Sequence, residues 1–325
     1  MTVPGFADAL RSVLAEALGD HDVAVADLHR LSGGASRETW SLIAVGSDGS
    51  RRPLILQRDE ASSVRTTGGM GLESEAIRAA TAGGVPVPAL LASSADDEPL
   101  GAPFLLSEHV AGETIARKIQ RDEPYATARD RFAADAGRAL AAVHAIDPAE
   151  VPSLERPDQL TRYREILDEL GPPHPTFELA FRWLESTRPD ARPDRMVHGD
   201  FRLGNLIIDT DGLAAVIDWE LVHLGDPVED LAWLCVKAWR FGGRSPVAGL
   251  GSYDELLDAY GEASGTEVDR AALRWWEVAG TLKWGIMCIM QANGHLSGLR
   301  RSHELAAIGR RVCENELDLL DLMAP

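Results

Sequence analysis

The feature that most constrains the fold is a change in the spacing of apolar residues near residue 110. Before that point the apolar runs are short and broken by glycine and turn residues, which is typical of strands joined by hairpins. Residues 39–45 alternate between apolar and polar, and residues 54–57 follow a Gly-Ser-Asp-Gly-Ser turn. One helix is predicted from about residue 72 to 82, where two glycines end it.

After residue 112 the apolar residues recur at helical spacing, as they do over 132–144, where they fall on one face of a helix. A short strand pair, 205–209 and 214–218, interrupts the helices. The predicted fold class is therefore α+β, with two lobes of different character. We assign residues 1–107 to a β-rich N-lobe, 108–112 to a hinge and 113–325 to a helical C-lobe.

Composition excludes several classes of partner. The 325 residues suffice for two lobes, and 32 basic against 51 acidic residues give a net charge of −19. Such a chain repels phosphate, so we expect neither nucleic acid nor a membrane surface as a partner. The three cysteines are widely spaced, and the sequence shows neither a signal peptide nor a long apolar span. We expect a cytoplasmic protein; its oligomeric state is not indicated.

The strongest chemical signal is the string HGDFRLGN at 198–205, followed by VIDWE at 216–220. Asn205 and Asp218 stand at opposite ends of the predicted hairpin, so their side-chain oxygens can reach one point. A few oxygen ligands suit a magnesium ion that carries a nucleotide, since the ion keeps water and phosphate oxygens at its other positions. Asp200 is then free to accept a proton from a substrate hydroxyl.

These strings resemble the catalytic loop and metal aspartate of the aminoglycoside phosphotransferase and choline kinase group, relatives of the protein kinases. The resemblance implies a bilobal protein-kinase-like fold with Asp200 as the catalytic base and Asn205 and Asp218 as magnesium ligands. It also implies that His198 braces the loop. Arg202, two residues after Asp200, would contact the γ-phosphate or a substrate phosphate.

The segment 224–233 resembles the part of these proteins that follows the metal aspartate. Asp226 would cap the next helix, and Asp230 would brace the catalytic loop from that helix. Few residues separate Asp218 from this helix, and no Ala-Pro-Glu element follows. A protein kinase needs a long segment there to seat a peptide, so a small-molecule acceptor is favoured.

A glycine turn in the first lobe is similar to the nucleotide-covering loop of the same family, in particular the branch related to the kinase-like domains of acyl-CoA dehydrogenase family proteins. Gly33 and Gly34 let the backbone approach phosphates closely, and Ser36 adds a hydroxyl. By the same resemblance, the hinge residues Glu108, His109 and Val110 would lie against the adenine. ATP is the expected nucleotide, and no residue here excludes GTP.

The family also implies a lysine on the third strand, paired with a helix glutamate. The strand 54–59 has no lysine, and alternation puts Gln57 at that place and Arg58 on the opposite face. A one-residue shift or a bulge would bring Arg58 in to bridge phosphate and Glu75, which matches better than Glu73. We predict Arg58 as the phosphate cation, against the alternative of a surface arginine.

The predicted function is ATP-dependent transfer of the γ-phosphate to a hydroxyl of a small molecule. The candidate residues around the acceptor are Trp219, Glu220, His223, Trp239, Trp276, Glu277, Lys283 and Trp284. Their mixed charges favour no polycation, but an antibiotic, an amino alcohol, a sugar and a hydroxyacyl compound all stay open. The alternative is a catalytically weak or inactive kinase-like sensor that binds a nucleotide or metabolite, because the strand lysine is missing.

Overall fold

A five-stranded antiparallel sheet forms most of the first lobe of the computed structural model, which describes residues 5–31, 37–59 and 69–324. Its strand order is β1-β2-β3-β5-β4. The strands are β1 (Ala24–Arg30), β2 (Arg37–Val45), β3 (Arg51–Asp59), β4 (Leu90–Ser94) and β5 (Phe104–Glu108). Because β3 pairs with both β2 and β5, side chains at its centre are held on fixed faces of the sheet.

An N-terminal helix that the sequence analysis did not predict covers the outer face of the sheet. Helix α1 (Phe6–Leu18) buries Leu10 and Leu14 against Leu54 and Leu56 of β3. Its apolar residues have helical spacing, so the signal was present, although the glycine-broken runs beyond it suggested only strands. The helix ends at Gly19, which adopts the left-handed conformation of a helix C-cap.

The predicted first-lobe helix is α2 (Gly69–Ala82), and it packs toward the second lobe. Leu72, Ala76 and Ala80 belong to the same buried cluster as the core of the helical lobe. The cluster around α1 and the outer face of the sheet is separate. Helix α2 thus lies between strands of the sheet in sequence, but its apolar residues belong to the core of the second lobe.

The second lobe is mostly helical. Its helices are α3 (Ala116–Arg121), α4 (Ala126–Ala145), α5 (Gln159–Leu170), α6 (Pro175–Ser186), α7 (Val228–Cys235), α8 (Tyr253–Ser264), α9 (Arg270–Leu296), α10 (His303–Ile308) and α11 (Val312–Met323). The predicted helix over 132–144 lies within α4. None of the helices in the described ranges combines the length and apolar character needed to cross a membrane. The predicted α+β fold class is confirmed.

Two short strand pairs lie between α6 and α7. Strand β6 (Arg195–Val197) pairs with β9 (His223–Gly225), and β7 (Leu206–Ile208) forms a hairpin with β8 (Leu213–Val216). The hairpin strands are a little shorter than the sequence predicts. Helix α7 starts where predicted, since the carboxylate of Asp226 accepts a hydrogen bond from the N–H of Val228 at 2.9 Å.

The segment that leaves the sheet is fastened to this hairpin. Glu113 and Ile208 exchange backbone hydrogen bonds of 2.8 and 3.0 Å. Gly112 has a φ of +150°, and a Cβ there would lie 2.5 Å from Cγ2 of Ile207, so only glycine fits. The crossing between the lobes and the hairpin that carries the motif residues are therefore one connected structure.

Candidate active site

The β7–β8 hairpin and the loop before it bring together three of the predicted site residues. The backbone N–H of Ile217 donates to the carbonyl of Asn205 at 3.0 Å, which closes the open end of the hairpin next to Asp218. The side-chain Nδ2 of Asn205 donates to Asp200, at 2.6 Å to Oδ2 and 3.0 Å to its carbonyl. Because Nδ2 is used in this way, Oδ1 of Asn205 is the atom left for a cation.

The Asp200 carboxylate is held by donors on several sides. Arg202 Nε lies 3.1 Å from both carboxylate oxygens, and the indole N–H of Trp233 donates to Oδ1 at 2.8 Å. With the bond from Asn205, three side chains fix its orientation. Trp233 was not identified from the sequence, where it reads as an apolar residue of α7. An oriented carboxylate in a partly buried position is what a general base requires.

Asp230 braces the catalytic loop from α7, as predicted. This fully buried carboxylate accepts hydrogen bonds from the N–H groups of His198 and Gly199, at 2.8 and 2.9 Å, and lies 3.1 Å from Nε2 of His144. Burial opposes its ionisation, but His144 and these donors hold the pKa of Asp230 below its ordinary value. Gly199 has a φ of +79°, and a Cβ there would lie 2.4 Å from the carbonyl of Leu221, so the loop needs glycine at this turn.

His198 lies beneath the loop and faces no open space. Its Nδ1 accepts a hydrogen bond from the N–H of Asp200 at 3.2 Å, so Nε2 carries the proton and donates to the carbonyl of Ile217. Burial lowers the pKa of His198, which keeps the ring neutral. The ring packs on Trp219, with 4.7 Å between centroids. These contacts fit the predicted bracing role and leave no route for the ring to touch a substrate.

Arg202 uses only one of its guanidinium nitrogens to bind the Asp200 carboxylate. Its Nε is used by the carboxylate, while its two Nη groups donate to none of the described residues. The guanidinium lies over the ring of Trp239, with Cζ 5.0 Å from the centroid. Stacking on tryptophan fixes the plane of the guanidinium, so the free Nη groups are presented in a definite direction.

Asp218 lies in a cluster of like charges. It has a φ of +68°, an uncommon backbone conformation for aspartate. Burial, followed by the negative charges of Glu220, Asp200 and Glu73, raises the pKa of Asp218 to about 7, and Arg37 opposes the shift. The described residues include no group of three or more His, Cys, Asp or Glu side chains that could hold a metal alone. A divalent cation that takes a few protein oxygens and otherwise water or phosphate fits this donor set.

This electrostatic position predicts a pH effect on stability. The folded pKa of about 7 exceeds the ordinary 3.8, so the folded state binds this proton more tightly, and the contribution of Asp218 to the stability of the metal-free protein rises as the pH falls from 8 toward 4. Between pH 8 and pH 6 we expect the free energy of unfolding in urea and EDTA to gain about 1 kcal/mol more for wild type than for Asp218→Asn. Equal pH dependence in the two proteins would refute the shifted pKa.

A buried cation does pair with a glutamate of α2, but it comes from β2 and not from the third strand. Arg37 Nη1 donates to Oε1 of Glu73 at 2.9 Å, and Nη2 lies 2.6 Å from Oε2 of Glu73 and 3.2 Å from Glu220. Arg37 is 5% exposed, so this pair is buried. Burial would lower the pKa of Arg37, but the charge of Glu73 outweighs it and raises the pKa. This residue was not predicted from the sequence, although it directly follows the glycine turn and shares a sheet face with Thr39.

The predicted ion pair between Arg58 and Glu75 is not formed. Arg58 Nη2 donates to Oε2 of Glu38 at 2.6 Å, and its guanidinium lies over Phe6 of α1, 5.0 Å from the ring centroid. Glu75 accepts a hydrogen bond from the hydroxyl of Ser153 at 2.9 Å. The buried glutamate of α2 is Glu73 instead.

Strand register explains why Arg58 stays outside the cleft. The pairing of β2 with β3 runs from Arg37 opposite Asp59 to Val45 opposite Arg51 without a shift or bulge. Arg58 therefore shares the outer face with Leu54 and Leu56, and Gln57 lies on the face of Arg37. The predicted shift that would bring Arg58 inward is wrong.

The remaining predicted nucleotide contacts lie at the sheet edge and in the glycine turn. Glu108 ends β5, and the N–H groups of Glu108 and His109 donate to the carbonyls of Ala89 and Pro53, at 2.9 and 3.0 Å. The exposed His109 and the half-buried Val110 then lead to the crossing at Gly112. Gly33, Gly34 and Ser36 lie outside the described residues. An adenine contact at the hinge stays a prediction.

A sheet lobe, a crossing segment and a loop-hairpin unit carrying an Asp-Asn-Asp set define a kinase-like fold for small-molecule phosphotransfer. Residues 27–276 match the phosphotransferase enzyme family (APH), and the chain belongs to this family. The family places the chain among the small-molecule kinases.

Similar proteins include one curated relative and two solved structures. Acyl-CoA dehydrogenase family member 10 of Mus musculus is 27% identical over 241 residues, covering 70% of this chain and 22% of the relative. The chain thus spans about a fifth of that relative's length.

Both solved structures are similar along almost the whole chain. A candidate aminoglycoside phosphotransferase from Ralstonia eutropha aligns with a TM-score of 0.77 at 18% identity, covering 97% of both chains. A thermostable mutant of aminoglycoside phosphotransferase APH(4)-Ia, in a ternary complex with AMP-PNP and hygromycin B, aligns with a TM-score of 0.62 at 15% identity, covering 97% of both chains. At these identities the likeness shows the fold.

Proposed function

We propose that this protein transfers the γ-phosphate of ATP to a hydroxyl group of a small molecule. The observation that carries the proposal is the Asp200 carboxylate, oriented by Trp233, Arg202 and Asn205 at the open end of the hairpin that carries Asp218. Such an arrangement is useful for deprotonating a hydroxyl and has little use in a protein that only binds a nucleotide.

Each residue of the hairpin unit has a role in the transfer. The acceptor oxygen forms a bond to the γ-phosphorus, the bond from that phosphorus to the β–γ bridging oxygen breaks, and the hydroxyl proton passes to Asp200. Asn205 and Asp218 would hold magnesium, which neutralises phosphate charge when it is bound. The free Nη groups of Arg202 are suited to an oxygen of the transferred phosphate.

On the nucleotide side, Arg37 takes the role that the sequence analysis gave to Arg58. It lies next to Asp218 and Glu220, at the end of β2 that follows the glycine turn, so its charge acts on the same space as the metal site. By family resemblance, Gly33, Gly34 and Ser36 would cover the phosphates, and the hinge residues 108–110 would contact the adenine.

The similar APH(4)-Ia structure, a ternary complex, supports the choice of ATP and of a small hydroxylated acceptor. It contains AMP-PNP, an ATP analogue, together with hygromycin B. The sensor alternative depended on the missing strand lysine, and Arg37 supplies a buried cation in its place. We further propose a cytoplasmic protein.

Calorimetric titration with ATP, with and without magnesium, tests the proposal. We expect magnesium to strengthen ATP binding by at least about tenfold in wild type, which corresponds to about 1.4 kcal/mol. In Asp218→Ala this enhancement should disappear, because one of the two protein ligands is lost. A matched control is Asp211→Ala, an exposed carboxylate in the turn of the same hairpin, which should behave like wild type.

Two outcomes would contradict the proposal. If millimolar ATP fails to bind with or without magnesium, the cleft is not an ATP site. If ATP binds with the expected magnesium dependence but is never turned over with any hydroxyl compound of a broad panel, the protein is a nucleotide sensor.

A further inference from the structure

We infer that the acceptor is an uncharged hydroxy compound with an apolar body, and that the indole N–H groups of Trp239 and Trp284 recognise an oxygen of this compound. The inference rests on the proposed function, because it names the substrate class of the same site. It excludes the polycationic acceptors that a family with aminoglycoside substrates would suggest.

The carboxylates that a cationic acceptor would need are already engaged. Glu277 of α9 accepts a hydrogen bond from Arg240 at 2.9 Å and one from the hydroxyl of Tyr253 at 2.8 Å. Glu229 of α7 lies 3.1 Å from Nε2 of His223 and 3.5 Å from Nζ of Lys283. Both are buried, so neither presents a charge to a ligand.

Glu220, the third acidic candidate, is paired with Arg37 of β2, with 3.2 Å between Oε2 and Nη2. The charge nearest to Asp200 on the helical side is instead positive. Lys283 Nζ donates to the carbonyl of Gly199 at 3.1 Å, and Arg202 Nε donates to the Asp200 carboxylate at 3.1 Å. A ligand with several amines would meet the guanidinium of Arg202 there, while each of these three glutamates is already paired.

Aromatic rings take the place of carboxylates beside the catalytic loop. Trp233 donates to Asp200 and is 5.2 Å from Trp239, and Trp239 is 4.7 Å from Trp284, measured between ring centroids. Arg202 links the same cluster to the catalytic carboxylate, because it stacks on Trp239 and binds Asp200. This tryptophan cluster (Trp233, Trp239, Trp284) therefore adjoins the base on its helical side.

Two donors in the tryptophan cluster have no hydrogen-bond partner in the described part of the chain. The Nε1 atoms of Trp239 and Trp284 are buried and donate to none of the described residues, whereas Trp233 uses its own on Asp200. A buried polar group without a hydrogen bond is costly and is rare in folded proteins. An acceptor with an ether, carbonyl or second hydroxyl oxygen would accept hydrogen bonds from these donors. Its apolar body would take the place of the contact between the Trp239 and Trp284 rings.

Entry of the acceptor has to uncover the two indole nitrogens. Trp239 lies on a short 3₁₀ turn, Lys237–Arg240, which ends at Phe241 with a φ of +46° and continues into Gly242 with a φ of +89°. Left-handed backbone at phenylalanine is unfavourable, so this turn stores strain that a shift can release. We place the movement needed for acceptor binding at this turn.

The test compares acceptors and tryptophan variants. Phosphotransfer from ATP is measured with benzyl alcohol, cyclohexylmethanol and 2-naphthylmethanol as uncharged acceptors and with hygromycin B as a polycation. We expect transfer to the uncharged compounds and none to hygromycin B. Derivatives of the uncharged compounds with a second oxygen added should be the best acceptors. Trp239→Phe and Trp284→Phe, which remove only the N–H-bearing ring, should each raise the acceptor KM about fivefold with the KM for ATP unchanged.

Trp183→Phe on α6, outside the tryptophan cluster, serves as the matched control and should leave both KM values unchanged. Faster transfer to hygromycin B than to the uncharged compounds, unchanged acceptor KM in both variants, or no transfer to any uncharged compound would each overturn the inference. Magnesium-dependent ATP binding by the same preparation separates these results from a failure of the proposed function.

Discussion

Replacing Asp200 with asparagine is expected to lower kcat by about three orders of magnitude and to leave magnesium-dependent ATP binding within about twofold of wild type. The amide keeps the shape of the carboxylate and can still accept a hydrogen bond from Trp233 or Arg202. It cannot take the hydroxyl proton. Phosphotransfer kinetics give kcat, and calorimetry gives the ATP dissociation constant.

A matched control for this variant is Asp211→Asn, which makes the same chemical change at an exposed position of the hairpin turn. We expect wild-type kcat from it. A kcat for Asp200→Asn within tenfold of wild type would show that another group removes the proton, whereas loss of ATP binding would show that Asp200 acts on the nucleotide.

The second large effect is expected from Arg37→Met. This change leaves the Glu73 carboxylate buried without its cation, and breaking a buried ion pair typically costs about 3–5 kcal/mol. We expect urea unfolding to show a loss of that size and ATP affinity to fall by at least about tenfold. Arg37→Lys, which keeps the charge and loses the bidentate geometry, should recover part of both.

Arg58→Met tests which arginine is the phosphate cation: Arg37, as we propose from the structure, or Arg58, as the sequence predicts. Arg58 also forms an ion pair, with Glu38, but on the outer face of the sheet beneath α1. Its loss should lower stability and leave ATP affinity unchanged. If Arg58→Met weakens ATP binding and Arg37→Met does not, Arg58 and not Arg37 is the phosphate cation.

The hairpin unit could be predicted from sequence because its geometry is local. Asn205 and Asp218 are joined by a single turn, so their spacing in sequence fixes their meeting in space. The bracing by Asp230 followed in the same way from a helix that begins a few residues later. These contacts depend on short loops and not on how the two lobes pack.

The phosphate cation could not be placed in this way, because its geometry depends on strand register and helix rotation together. Arg37 reaches the cleft from β2 only because the β2–β3 pairing is free of bulges. Glu73 faces it because it lies on the same side of α2 as Ala76 and Ala80, whereas Glu75 lies on another side and meets Ser153. Helical spacing alone would have favoured Glu73, and the family resemblance outweighed that signal.

The packing of α2 has a consequence for control of the enzyme. Many kinase-like proteins are switched by swinging the corresponding helix outward, which separates its glutamate from the cation that grips the phosphates. Here such a swing would expose Leu72, Ala76 and Ala80, which are embedded in the core of the helical lobe, and would strip Glu73 from Arg37. Contacts on both sides of α2 therefore oppose an outward swing, and control by such a swing is not expected here.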